Sequence, residues 1–108
     1  MSTLSTHVLD TALGRPAPGI RVTLSRGGKE IGSAVTDADG RAKDLQGTPP
    51  LAEGAYALTF AVGAYFAAAQ RETFYDMIVI EFTVGTSERH FHVPLLLSPF
   101  GYSTYRGS

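Results

Sequence analysis

The chain has 108 residues, a length that is typical of one domain with a single core. We therefore expect residues 1–108 to form a single domain. Nine Lys and Arg against ten Asp and Glu leave a net charge of −1, which gives no reason to expect a nucleic-acid or membrane partner. The absence of cysteine excludes disulfides, thiol nucleophiles and cysteine-bound zinc. Neither a membrane-length apolar run nor a signal-peptide pattern is present, so we expect a cytoplasmic protein.

The first predicted element is a strand over residues 3–9. Positions alternate there, so that Leu4, Thr6 and Val8 share one face. His7 lies on the other, more polar face, beside two hydroxyl side chains.

The next part of the chain reads as a hairpin between two loops. Gly and Pro residues predict a loop over residues 10–19, and alternation predicts a strand over residues 20–25. Gly27-Gly28 is the signal of a two-residue turn, and residues 29–36 return as the partner strand. Residues 37–40 are predicted to form a further turn, since Asp bends the chain locally and Gly permits a positive φ angle.

The middle of the chain contains the only predicted helix. Residues 46–54 are predicted to form a loop and residues 55–62 a strand. Residues 64–71 are rich in strong helix formers, which predicts one short helix. Phe74 and Tyr75 follow in a loop, and residues 77–84 alternate clearly enough to predict another strand.

The last twenty residues contain two of the three histidines. Residues 89–95 alternate, with His90 and His92 on the face opposite the apolar side chains. Pro94 cannot donate a ladder hydrogen bond, so we expect an edge or a bulge there. A turn at residues 98–101 then leads into a final strand over residues 102–106.

About eight short strands with one short helix predict an all-β protein, a two-layer antiparallel β-sandwich. Some strands carry apolar residues on their second face as well, namely Met77 with Val79 and Leu96 with Leu97. A sheet that is buried on both sides would explain them, and we therefore expect an oligomer.

Three separated motifs resemble those of the 5-hydroxyisourate hydrolases, the transthyretin-like enzymes of urate breakdown. They are Ser5-Thr-His-Val-Leu-Asp10, Asp39-Gly-Arg41, and the run from His90 to the closing Tyr-Arg-Gly-Ser108. The resemblance implies a transthyretin-like fold and a homotetramer with active sites in a channel between subunits. It also implies hydrolysis of 5-hydroxyisourate to 2-oxo-4-hydroxy-4-carboxy-5-ureidoimidazoline without a metal or another cofactor.

The residues alone leave each histidine open between a surface position and a proton-transfer role near neutral pH. The resemblance implies four catalytic residues, which are His7, Arg41, His92 and Ser108. It implies that His7 and Arg41 also bind substrate, together with Tyr105 and Arg106. Which of His7 and His92 acts as the general base stays open, and so does the role of His90.

Other functions fit parts of the pattern. Zinc on the three histidines is less expected, because no nearby Asp or Glu orients them. A Ser-His-Asp triad lacks the Gly-x-Ser-x-Gly turn. A transthyretin-like carrier of a small aromatic ligand would need neither the histidine pair nor the Tyr-Arg-Gly-Ser end, and an adhesive β-sandwich would not explain the polar tail.

Overall fold

A computed structural model describes residues 3–47, 51–85 and 90–107. Predictions for residues 48–50, for residues 86–89 and for Ser108 fall outside these ranges. The described residues form nine strands and one helix. The elements are β1 (Thr3–Asp10), β2 (Arg15–Pro16), β3 (Arg21–Arg26), β4 (Lys29–Val35), β5 (Arg41–Lys43), β6 (Gly54–Phe60), α1 (Val62–Ala68), β7 (Ile78–Val84), β8 (His90–Ser98) and β9 (Gly101–Thr104).

The strands form two sheets with the core between them. One sheet has the order β2-β1-β8-β9, and β5 pairs with β1 along the edge that β2 also uses. The other has the order β4-β3-β6-β7. The predicted two-sheet sandwich with one short helix is confirmed. One pair differs from the antiparallel prediction, because β1 and β8 run parallel, from Thr3 beside His90 to Asp10 beside Leu97.

The alternation in the sequence explains which side chains form the core. Leu4, Thr6 and Val8 of β1 are fully buried, whereas the side chains between them are only partly covered. Burial of each Leu or Val stabilises the fold by about 2 kcal/mol, so a one-residue slip of β1 would be costly. The Thr6 hydroxyl, which is also buried, donates to the Val93 carbonyl at 2.6 Å.

The prediction of an edge or a bulge at Pro94 is wrong. β8 is a central strand that pairs with β1 on one side and with β9 on the other. Leu95 pairs with Thr104 and His92 with Gly107, which is one continuous register without an extra residue. Pairing is interrupted at Pro94 between these two points, as expected for a residue without an N–H.

Helix α1 begins and ends earlier than the predicted helix over residues 64–71. Its start is displaced because Val62 and Phe66, one turn apart, are both fully buried and anchor that face in the core. It ends before Gln70, whose φ of 55° is left-handed and interrupts the helix. Within the described ranges, no helix has the length and apolarity that a membrane crossing requires.

The apolar second face of the sheets is confirmed only in part. Met77 and Val79 are 54% and 52% exposed, as expected for outward-facing positions. Leu96 is partly buried, but Leu97 is fully buried in the core. The pairing of Leu97 with Leu96 on the second face was therefore wrong, since Leu97 continues the inward series of β8 that includes Leu95.

Candidate active site

The middle of β1 carries His7 on the outer face of its sheet. His7 pairs with Arg41 of β5 on one side and with Pro94 of β8 on the other. Ser5, two residues earlier, pairs with His92. Because paired residues on neighbouring strands point to the same face, this sheet brings His7, Arg41 and His92 together.

A tight turn before β5 places Arg41. The Asp37 carboxylate accepts hydrogen bonds from the backbone N–H groups of Asp39 at 2.9 Å and Arg41 at 3.0 Å. The bond from the Arg41 N–H is the main cause that lowers the pKa of Asp37. Gly40 has a φ of 75°, and a Cβ there would overlap the Val8 carbonyl. Only glycine lets the turn lie this close to β1, and so the turn fixes Arg41 beside His7.

The His92 ring is held by β1 on one side and by the chain end on the other. Its Nδ1 lies 2.9 Å from the Ser5 hydroxyl. The backbone N–H of Gly107 donates to the His92 carbonyl at 2.8 Å, and a Cβ on Gly107 would overlap the imidazole ring. Gly107 of the Tyr-Arg-Gly-Ser motif therefore allows the chain end to pack closely against His92.

The second histidine of β8 belongs to the same row of polar contacts. His90 is exposed and pairs with Thr3 of β1, whose hydroxyl lies 2.6 Å from Nδ1 of the ring. The other ring nitrogen, Nε2, lies 3.2 Å from the Ser5 hydroxyl. Ser5 thus contacts both histidines.

The surroundings of His92 favour the neutral form of its imidazole. Partial burial, followed by the positive charge of Arg41, lowers the pKa of the imidazole below its ordinary value. His7 and His90 act in the same direction, whereas a hydrogen bond with the backbone of Ser5 opposes them. The ring is therefore neutral at neutral pH, which is the state that a general base needs.

A pocket of about 200 Å³ opens beside this row, and its lining includes Ser5, Arg41, Lys43, Asp44 and His90, but neither His7 nor His92. Lys43 pairs with Ser5 from the β5 side, so that two cations flank the mouth of the pocket. A neutral imidazole next to cationic donors is suited to activating water against a carbonyl whose oxygen becomes negative.

The predicted substrate-binding residues Tyr105 and Arg106 lie elsewhere. Both line a second pocket of about 230 Å³, together with Phe91 and residues of β7. The Arg106 guanidinium lies 5.1 Å from the centre of the Phe91 ring. Phe91 belongs to the inward face of β8, so within one chain these residues are not brought to the histidine face. The prediction for Ser108 lies outside the described residues.

The three histidines do not form a metal-binding cluster. Across residues 3–47, 51–85 and 90–107, no group of three or more His, Asp or Glu side chains is arranged to hold a metal ion.

Three residues of the site were missed from the sequence. They are Ser5, Lys43 and Gly107. Alternation had placed the Ser5 hydroxyl on the face of His7, but its contacts depend on the parallel pairing of β1 with β8. No local pattern marks Lys43, because the three-residue strand β5 is too short to show a period. Gly107 was quoted only as part of a motif.

The comparisons with known proteins show the family of the chain. The HIUase/Transthyretin family model matches residues 4–107, and the chain belongs to this family. It is similar to 5-hydroxyisourate hydrolase of Caulobacter vibrioides, at 48% identity over 100% of both chains.

Two solved structures resemble the fold. The structure of Klebsiella pneumoniae 5-hydroxyisourate hydrolase superposes with a TM-score of 0.93, at 49% identity over 100% of both chains. Sea bream transthyretin in complex with thyroxine superposes with a TM-score of 0.89, at 30% identity over 96% of this chain and 93% of that one. The fold is therefore shared by an enzyme and by a ligand-binding protein.

Proposed function

We propose that this chain, as a single domain, is a 5-hydroxyisourate hydrolase in urate catabolism. Water adds to an amide carbonyl of the six-membered ring and the C–N bond breaks, which gives 2-oxo-4-hydroxy-4-carboxy-5-ureidoimidazoline. The observation that supports this proposal best is the convergence of His7, Arg41 and His92 on one sheet face, with His92 kept neutral. The similar proteins that carry this name and match the full chain support it independently.

The proposed roles follow from charge and position. A neutral imidazole, His7 or His92, takes a proton from water and directs it at the carbonyl. The Arg41 guanidinium holds the substrate and stabilises the developing oxyanion with fixed donors. No step requires a metal or another cofactor.

The tail residues are proposed to complete the pocket. Tyr105 and Arg106 bind substrate and Ser108 contributes to catalysis in this proposal. Because Tyr105 and Arg106 line a separate pocket in the single chain, their part requires a neighbouring subunit or a movement of the tail. We accordingly propose a homotetramer with sites between subunits. A cysteine-free chain has no disulfide that would call for an oxidising compartment, which supports a cytoplasmic location.

The alternative is a carrier that binds a small aromatic ligand between subunits. Its support is the fold similarity to sea bream transthyretin, solved with thyroxine. The higher identity to proteins named hydrolases, and the histidines next to Arg41, favour the enzyme.

The test is to add the protein to 5-hydroxyisourate freshly generated from urate and to follow the loss of its absorbance. We expect loss well above the uncatalysed decay, unchanged after chelator treatment. Decay at the blank rate from a folded protein would leave the carrier as the better proposal. Sensitivity to the chelator would contradict the metal-free chemistry.

A further inference from the structure

A continuous row of polar contacts leads from the His92 ring to solvent. Ser5 Oγ lies 2.9 Å from Nδ1 of His92 and 3.2 Å from Nε2 of His90. Nδ1 of His90 lies 2.6 Å from Oγ1 of Thr3. The row follows from the parallel register, in which Thr3 pairs with His90 and Ser5 with His92. It ends at Thr3, which is partly exposed, and His90 next to it is exposed.

The hydrogen bonds of this row can be oriented in two ways that give each contact one donor and one acceptor. A hydroxyl both donates and accepts, and a neutral imidazole has one donor and one acceptor nitrogen. In the first direction His92 donates from Nδ1 to Ser5, and Ser5 donates to Nε2 of His90. His90 then donates from Nδ1 to Thr3, and Nε2 of His92 is left as an acceptor. In the second direction every donor is reversed, and Nε2 of His92 carries a proton.

We propose that Ser5, His90 and Thr3 form a proton relay that orients the His92 imidazole and connects its Nδ1 with solvent. His90 and Ser5 are then positioning residues for the hydrolysis, and His92 is the base. This inference rests on the proposed function, because it describes the fate of the proton that His92 takes from water.

The protons that the relay takes up and releases balance over one turnover. Nε2 of His92 takes a proton from the attacking water, whose hydroxide adds to the carbonyl carbon. Nδ1 passes its proton to Ser5, Ser5 passes one to His90, and a proton leaves at the Thr3 end. When the C–N bond breaks, a proton returns through the relay to Nδ1 while Nε2 gives its proton to the released nitrogen. The ring stays neutral, and the starting state is restored.

The surroundings of His92 make such a route useful. Partial burial and the nearby Arg41 disfavour a charged ring at this position. A mechanism that kept an imidazolium beside Arg41 would work against that bias. Passing the Nδ1 proton towards His90 lets the ring at position 92 return to neutral before the C–N bond breaks.

Two variants separate a relay from a simple structural contact. His90→Gln keeps a side-chain amide within reach of Ser5 but cannot move a proton between two ring nitrogens. Ser5→Ala removes the link between the rings. Ser25→Ala is the matched control, because Ser25 is a partly buried strand serine in the other sheet.

We expect kcat to fall on the order of tenfold or more in His90→Gln and Ser5→Ala, with little change in KM. Added imidazole buffer should restore part of the rate of His90→Gln, since a free base can replace the missing relay. Ser25→Ala should match the unsubstituted protein. Unchanged kcat in both variants, or a change in KM alone, would overturn the relay.

A measurement on the resting protein distinguishes failure of the relay from failure of the proposed function. The ¹⁵N chemical shifts of the His92 ring report which nitrogen carries the proton. They should change in Ser5→Ala and stay unchanged in Ser25→Ala, whatever the protein does to 5-hydroxyisourate. Identical shifts in all three proteins would reject the relay even if the hydrolase is active.

Discussion

The polar side chains at the two ends of β1 lie in different electrostatic surroundings. At the C-terminal end, the fully buried Asp10 carboxylate forms an ion pair of 2.7 Å with Arg71. It also accepts a hydrogen bond from the Tyr65 hydroxyl at 2.8 Å. Nearer the N-terminal end, Ser5 and His7 pair with the cations Lys43 and Arg41 of β5, Ser5 also pairs with His92 of β8, and neither of these two strands contains a carboxylate.

The difference is visible in the direction of the pKa shifts. Burial alone would raise the pKa of the Asp10 carboxyl, but hydrogen bonds from Arg71 and Tyr65 outweigh it and lower the pKa. Asp10 is therefore held in its charged form. The pKa of His92 is also lowered, but for an imidazole this means the neutral form.

The end of β1 at Asp10 thus pairs a carboxylate with a cation. The other end lies beside the imidazole of His92, which is neutral although cations are near it. The first arrangement stabilises the fold by tying α1 and the segment after it to β1. We propose that the second contributes little to stability and serves the reaction instead. If this division is right, substitutions at the two ends should have separable effects.

The largest effect is expected at the cationic end. Arg41→Met removes the guanidinium but keeps an unbranched apolar stem, and kcat/KM for 5-hydroxyisourate should fall about 100-fold. The free energy of unfolding should change by no more than about 0.5 kcal/mol, because Arg41 is exposed. Arg21→Met, at an exposed position of β3 in the other sheet, is the control and should keep full activity.

At the other end of the strand the effect should be on stability. Asp10→Ala leaves Arg71 and the Tyr65 hydroxyl without their shared acceptor and should lower the free energy of unfolding by about 3 kcal/mol. Chemical denaturation measures this loss, and turnover per folded molecule should be unchanged. Asp39→Ala, at an exposed turn position, should cost far less. A large loss of turnover in folded Asp10→Ala would contradict the proposal that this end of β1 serves stability and the other end serves the reaction.

A smaller effect is expected where the chain end touches the site. In Gly107→Ala the new Cβ would overlap the His92 ring, so the ring must shift. Because small displacements of catalytic groups reduce rates strongly, kcat should fall about tenfold. Gly101→Ala is a matched control, since its Cβ would meet only Ser98 Oγ at an ordinary 3.7 Å. Equal rates in both variants would contradict the close packing of Gly107 on His92.

Much of the fold could be predicted from the sequence, because strands with one buried face alternate visibly. Strands were predicted where β1, β3, β6 and β7 lie, and each of them alternates between buried and more exposed side chains. The parallel pairing of β1 with β8 could not be predicted, since it joins segments more than 80 residues apart. The assignment of Pro94 to an edge or a bulge failed for the same reason.

The site was predictable to a smaller extent. The placement of His7, Arg41 and His92 on one face agrees with the motifs that pointed to them, but their roles remain predictions. The Asp10–Arg71 pair gave no signal, because Asp10 had been assigned to a loop and Arg71 to the end of the helix. Ser5 and Lys43 became visible only through register, a property of paired strands that neither strand encodes alone.

The measurement that tests the neutral base most directly is the pH dependence of kcat/KM for 5-hydroxyisourate, which reports the free protein. A base is active only when neutral, so activity is lost as the pH falls through the pKa of His92. Burial, Arg41, His7 and His90 lower that pKa, so the acid limb should lie below the ordinary histidine value of about 6.5. An acid limb at or above that value, or none between neutral pH and acid unfolding, would contradict His92 as the neutral base.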